Sequence, residues 1–134
     1  MKRLIPVALR LLLGLIFVVL PITGALQLMP TPPDYPAQAL AFVGAFAATG
    51  YFTYWLLAVQ VISGVALLLN LWTPLFLVVL APVTVNILLF HLFLTPHALV
   101  TLGGLGILVF VLNVALLGYY RECYRPMLVR RARL

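Results

Sequence analysis

The chain has 134 residues, of which 66% are hydrophobic and only 7% charged, with a mean hydropathy of +1.24. Soluble domains carry about a quarter of their residues as charges, so this composition excludes a water-soluble globular domain, and its apolar content excludes a disordered chain. With one cysteine, Cys123, an intrachain disulfide scaffold is excluded as well. The class that remains is an integral membrane protein, and its long apolar runs, read below as helical spans, make it all-α.

The net charge of +6 comes from residues near the two ends: Lys2, Arg3 and Arg10, then Arg121, Arg125, Arg130, Arg131 and Arg133. No soluble domain carries these charges, which argues against nucleic acid as a partner. Cytoplasmic loops are enriched in Lys and Arg, so basic residues at both ends place both termini in the cytoplasm and require an even number of crossings.

Residues 4–28 form the first apolar run, long enough at about 1.5 Å per residue to cross a hydrocarbon core of about 30 Å. Arg10 is expected to snorkel toward the headgroups, and Pro21 to kink the helix. The basic start followed by apolar residues also fits a signal peptide, but the run exceeds a typical signal core, and an uncleaved anchor is the simpler expectation. Residues 29–36, Met-Pro-Thr-Pro-Pro-Asp-Tyr-Pro, lack too many backbone donors for helix and read as an extracytoplasmic loop holding Asp34.

Residues 37–49 span about 20 Å as helix, too short to cross, and read as a short interfacial or re-entrant helix. Its small face (Ala37, Ala41, Gly44, Ala45, Ala48) is expected to pack closely on a neighbour, with Phe42, Val43 and Phe46 opposite. Residues 53–71, 75–94 and 98–120 then supply three further crossings, with Tyr51, Tyr54 and Trp55 in the outer aromatic belt and Pro82 bending the third span. The expected architecture is one transmembrane domain over residues 1–134: a four-helix bundle, the short extra helix, and a basic cytoplasmic tail at 121–134.

Within the bilayer the chemistry falls to neutral polar groups and histidine. Gln60, Ser63 and Asn70 project from about one face of the second span, expected to face protein because an amide exposed to lipid leaves its hydrogen bonds unmade. This stripe reads as interhelical glue or as a substrate path. On the third span Thr84 and His91 share a face, while Asn86 projects roughly 140 degrees from His91. His91 and His97 bracket the outer turn, where histidine can bind a metal, haem iron or a quinone carbonyl. Stable metal sites gather three or four ligands and the sequence offers no others nearby, so hydrogen bonding is the expected role. Cys123, among arginines, is either a reactive thiol or a spectator. The tail residues Arg121, Arg125, Arg130, Arg131 and Arg133 are expected to attract anionic lipid headgroups. No Walker loop, dinucleotide fingerprint, zinc spacing or nucleophilic triad is present, so catalytic residues are not expected and a self-contained enzyme is disfavoured.

The run Ala81-Pro82-Val83-Thr84-Val85-Asn86-Ile87-Leu88-Leu89-Phe90-His91-Leu92-Phe93-Leu94 resembles the signature segment of the DoxX family. Leu28-Met29-Pro30, Ala48-Thr49-Gly50-Tyr51-Phe52, the run from Gly64 to Asn70, and Tyr124-Arg125-Pro126 are similar to that family in order along the chain. The resemblance implies a small bacterial inner-membrane protein of four helices, and for some relatives membership of redox systems handling thiosulfate, quinone or thiol stress. Family members often carry Glu where this chain has Gln60 and Arg where it has Leu71. The resemblance makes Gln60, Asn70, Asn86 and His91 the polar core positions.

Three functions follow as expectations. The first is a noncatalytic membrane subunit of a redox or quinone-linked complex, with quinone as cofactor, a redox protein as partner, and Asn86 and His91 facing the quinone. The second is a small-molecule carrier, built as a homo-oligomer around the Gln60, Ser63, Asn70 stripe; the third is a structural assembly protein.

Overall fold

The computed structural model describes residues 4–28, 35–96 and 103–128, and every regular element among them is helical. In chain order these are α1 (Leu4–Ala25), α2 (Ala37–Ala48), α3 (Phe52–Leu69), α4 (Thr73–Phe93), α5 (Gly103–Tyr119) and the single turn α6 (Arg121–Tyr124), followed by a 3₁₀ turn, Arg125–Leu128. The proline-rich segment with Asp34, the turn containing His97, the residues from 98 to 102, and Arg130, Arg131 and Arg133 lie outside the described residues.

Helices α1 and α4 are each long and apolar enough to cross a membrane. Residues Ala37–Ala48 and Phe52–Leu68 pass that test only together, and they meet at a 94° bend; Gly104–Tyr119 is a shorter apolar helix. The four long helices close a ring in the order α1, α3, α4, α5, with α2 resting on α3. Leu13 and Phe17 of α1, Leu67 of α3, Leu77 and Leu80 of α4, and Val109, Leu112 and Leu116 of α5 fill its centre. Outward positions are also apolar, among them Leu15, Ile62, Val78, Leu89 and Val111. An apolar exterior around an apolar core suits lipid rather than water as the surrounding medium.

Helices α1 and α3 approach closely where Gly14 faces Gly64. A Cβ on either glycine would stand 2.9 Å from the other's carbonyl oxygen, so side chains larger than hydrogen separate the backbones. The small face of α2 does not play this part. Ala37, Ala41, Gly44, Ala45 and Ala48 are exposed, while Phe42 and Phe46 are half-buried, because aromatic rings cover more apolar area than methyl groups and turn inward first.

Arg10 departs from the sequence expectation too. It is 7% exposed, and its Nη1 donates to the Leu67 carbonyl at 2.6 Å. The Leu67 carbonyl accepts the Asn70 amide at 3.2 Å with one lone pair and lies at the negative end of the helix dipole, so its other lone pair draws the guanidinium inward rather than toward headgroups. Asn70, in the left-handed region at φ 57°, ends α3 and accepts a hydrogen bond from Thr73 Oγ1 at 3.0 Å. Asn70 therefore stands beyond the helix and is exposed, which removes it from the polar face projected along α3. Trp72 also has a positive φ, of 44°, an uncommon backbone state for a bulky residue. Tyr124 Oη donates to the Pro74 carbonyl at 3.0 Å and ties α6 to the start of α4.

Candidate functional site

At the other end of the bundle a partly open cavity of about 520 Å³ lies between α2, the first half of α3 and α4 from Val79 to His91. Its wall is aromatic because α2, folded back at the 94° bend, brings its two phenylalanines over α3 and α4. The bend is set at Thr49 and Gly50. Thr49 Oγ1 donates to the Phe46 carbonyl at 2.7 Å and accepts from the Phe52 amide at 3.0 Å, closing one helix and opening the next. Gly50 has a φ of 76°, a conformation that glycine adopts without Cβ strain.

Ring contacts run without a break around this wall. Trp55 and Phe52 are 5.6 Å apart between centroids, Phe52 and Phe46 4.6 Å, Phe46 and Phe42 4.7 Å, Phe42 and Phe90 5.6 Å, and Phe90 and His91 5.4 Å. Three helices thus contribute six rings to one lining, all of which border the cavity.

Gln60, Asn86 and His91 border the same cavity. Asn86 and His91, well separated on the helical wheel, meet there because the cavity spans a wide arc of α4. Ser63 and Asn70 do not line it: the Ser63 hydroxyl is buried without a hydrogen-bond partner among the described residues, and Asn70 is engaged with Thr73. Among the described residues, the trio's one side-chain hydrogen bond is from His91 Nδ1 to the Ile87 carbonyl at 2.7 Å. A carbonyl only accepts, so the proton resides on Nδ1.

His91 is also set by its neighbour on α5. A Cβ at Gly106 would stand 2.8 Å from Nδ1 and 3.1 Å from Cγ, so only glycine lets the imidazole lie against that helix. Gln60, Ile87 and His91 additionally border a second cavity, of about 330 Å³, inside the ring of α1, α3, α4 and α5. These three side chains form the wall common to both spaces. Pro21, on the second cavity, has no N–H to offer the Phe17 carbonyl one turn earlier.

Sequence reasoning missed three features. Tyr35 borders the first cavity, and burial pushes its hydroxyl above the ordinary tyrosine value, so it remains a neutral donor. Trp55, expected in the aromatic belt, is part of the ring lining. Asn113, 1% exposed on α5, donates from Nδ2 to the Leu77 carbonyl at 3.2 Å. Thr84 Oγ1 lies 3.5 Å from Asn113 Oδ1 but is better placed for Ala81, whose carbonyl is 2.9 Å away. The rule that a polar residue inside an apolar span needs a protein partner was the signal for Asn113.

In the tail, Glu122 pairs with Arg125 at 2.8 Å and Arg121 at 3.4 Å. All three side chains are well exposed, so both arginines present their charge to the surroundings beside a carboxylate that offsets part of it. Cys123 is exposed. No group of three or more metal-ligating side chains occurs among the described residues. Comparison of the chain with protein-family models, curated proteins and solved structures gave no match.

Proposed function

We propose that the protein is a four-crossing membrane bundle that binds a flat, apolar ring ligand of the quinone type, acting as a noncatalytic subunit of a redox or quinone-linked complex. The observation that carries this reading is the unbroken six-ring lining of the cavity together with Gln60, Asn86 and His91 on the same wall. Ligand sites in proteins are mostly apolar concavities with a few placed polar groups, and aromatic walls favour stacking on planar rings. Asn86 adds a second argument. It is exposed midway along a helix long and apolar enough to cross a membrane, where an amide without a partner is costly, and a bound carbonyl or hydroxyl supplies that partner.

In this reading α1, α3, α4 and α5 cross the bilayer, α2 lies along the outer interface, and both basic ends face the cytoplasm by the positive-inside rule. Helix α3 has 18 residues and so reaches about 27 Å, short of a 30 Å core by an amount that local thinning accommodates. Arg121 and Arg125 then sit at the headgroup level of the cytoplasmic leaflet, a position suited to anionic lipid. The resemblance to the DoxX family supports an inner-membrane location in bacteria and a redox partner.

The test is co-purification of the tagged protein in mild detergent, with mass spectrometry of associated proteins and extraction of bound quinone. A retained quinone with a redox protein partner is the expected result; a homo-oligomer carrying neither contradicts it. That second result would favour a carrier, for which the two cavities sharing the Gln60, Ile87 and His91 wall provide a path. Vesicle flux abolished by Gln60→Leu would then be the expected result.

A further inference from the structure

Gln60 and Asn86 each end in an amide that can donate or accept, so neither distinguishes a ligand hydroxyl from a ligand carbonyl or ether. His91 is different. Its Nδ1 proton is committed to the Ile87 carbonyl at 2.7 Å, and in the neutral ring this leaves Nε2 as an acceptor only. A ring turned over would give up that bond. The Nδ1 side of the imidazole packs against Gly106, with Nδ1, Cγ and Cε1 the atoms nearest a Cβ built there, which leaves Nε2 on the edge turned from α5. Phe90 meets the ring edge-on at 77°. A group of fixed polarity, held in orientation on an aromatic cavity, selects the polarity of what it binds.

We propose that His91 makes this cavity selective for aromatic rings bearing a hydroxyl, the phenols and hydroquinones, over rings of the same shape that lack the O–H. The proposal rests on the cavity being a ring-binding site and adds which member of a quinone and hydroquinone pair it holds: the reduced one, whose O–H donates to Nε2. Gly106 is the positioning residue, since a methyl group there displaces Nδ1 and with it the Ile87 bond.

The experiment uses the full chain in detergent with Trp72→Phe, which leaves Trp55 on the cavity wall as the fluorescent reporter. The probes are para-bromophenol and para-bromoanisole, matched rings whose bromine quenches indole and which differ in the O–H. The ratio of their half-quenching concentrations is compared between His91 and His91→Phe proteins, so that partitioning into the micelle cancels. A hydrogen bond of ordinary strength corresponds to about tenfold, so the preference for the phenol is expected to fall by about that factor in His91→Phe while quenching by the anisole is unchanged. The unchanged anisole also reports an intact cavity; if the phenylalanine variant loses it, His91→Leu, which removes the acceptor with a smaller side chain, decides. Gly106→Ala is expected to lower the same ratio with the histidine still present. A phenol preference that survives replacement of His91 overturns the proposal and leaves the ring-binding reading standing. Failure of both probes to quench Trp55 in the unsubstituted cavity overturns that reading and the proposal with it.

Discussion

Where α3 turns into α4, Arg10 from α1 donates to the Leu67 carbonyl at the end of α3, Tyr124 from α6 donates to the Pro74 carbonyl at the start of α4, and Thr73 donates to Asn70 across the turn. At the opposite end Gln60 and Asn86 border a cavity, and His91 bonds only within its own helix among the described residues. The first end satisfies its polar groups internally, at long sequence separation, and holds two residues at positive φ in place. The second end keeps polar groups available. Frame and site are thus separated along the bundle axis, and substitutions at the two ends should have opposite signatures: loss of folding at one, loss of binding at the other.

The largest expected effect is at the glycine crossing on the frame side. Gly64→Val places methyl groups where a Cβ alone already meets the Gly14 carbonyl at 2.9 Å and Val18 Cγ2 at 2.9 Å, forcing α1 and α3 apart at a cost of about 3 kcal/mol. Chemical unfolding in mixed micelles measures it, and an unchanged midpoint would break the comparison at its strongest point. Arg10→Met comes next. Loss of a buried, charge-assisted hydrogen bond to Leu67 corresponds to about 2 kcal/mol, whereas an arginine in the headgroups would be replaced at almost no cost.

Tyr124→Phe removes the bond to Pro74 and is expected to cost about 1 kcal/mol in the same assay. Burial, with smaller contributions from Cys123 and Tyr120, pushes the Tyr124 hydroxyl above its ordinary value. The folded protein therefore holds the proton more tightly than the unfolded chain. This contribution is fully present below the unfolded value of about 10 and is lost as pH rises through the higher folded value. Alkaline destabilisation should be smaller in the phenylalanine variant, and identical alkaline profiles would show that the bond to Pro74 does not hold the turn. The smallest effect on folding is expected at the site. Asn86→Leu exchanges an exposed amide for an apolar side chain and should leave stability within about 0.5 kcal/mol, or raise it, while weakening ring binding severalfold by isothermal titration. A marked loss of stability there would assign Asn86 to the frame instead.

The helices were legible because their apolar runs are long and separated by Pro, Gly or Asn, which end helices by local chemistry. Contacts were less so. Arg10 and Leu67 are 57 residues apart, and nothing local distinguishes an arginine that reaches headgroups from one that reaches a helix end. For α2, helical spacing separates a small face from an aromatic one but does not say which turns inward; the area of Phe42 and Phe46 decides that only once α3 and α4 are beside them. Helical periodicity projects Asn70 onto a face of α3, although asparagine at a helix end is itself a stop signal through its tolerance of positive φ. The cavity was partly legible. Gln60, Asn86 and His91 stand out as polar residues in apolar runs, but their meeting, and the part of Trp55 and Tyr35, depends on a 94° bend that no helical wheel contains.

The most direct test of the separation between frame and site is photo-crosslinking of the detergent-solubilised protein with a diazirine-bearing hydroquinone, with adducts mapped by tandem mass spectrometry. Adducts concentrated on Phe42, Trp55 and Phe90, and competed away by excess unlabelled hydroquinone, are the predicted result. Adducts spread over outward residues such as Leu15, Ile62 and Val111 and indifferent to competition would contradict it.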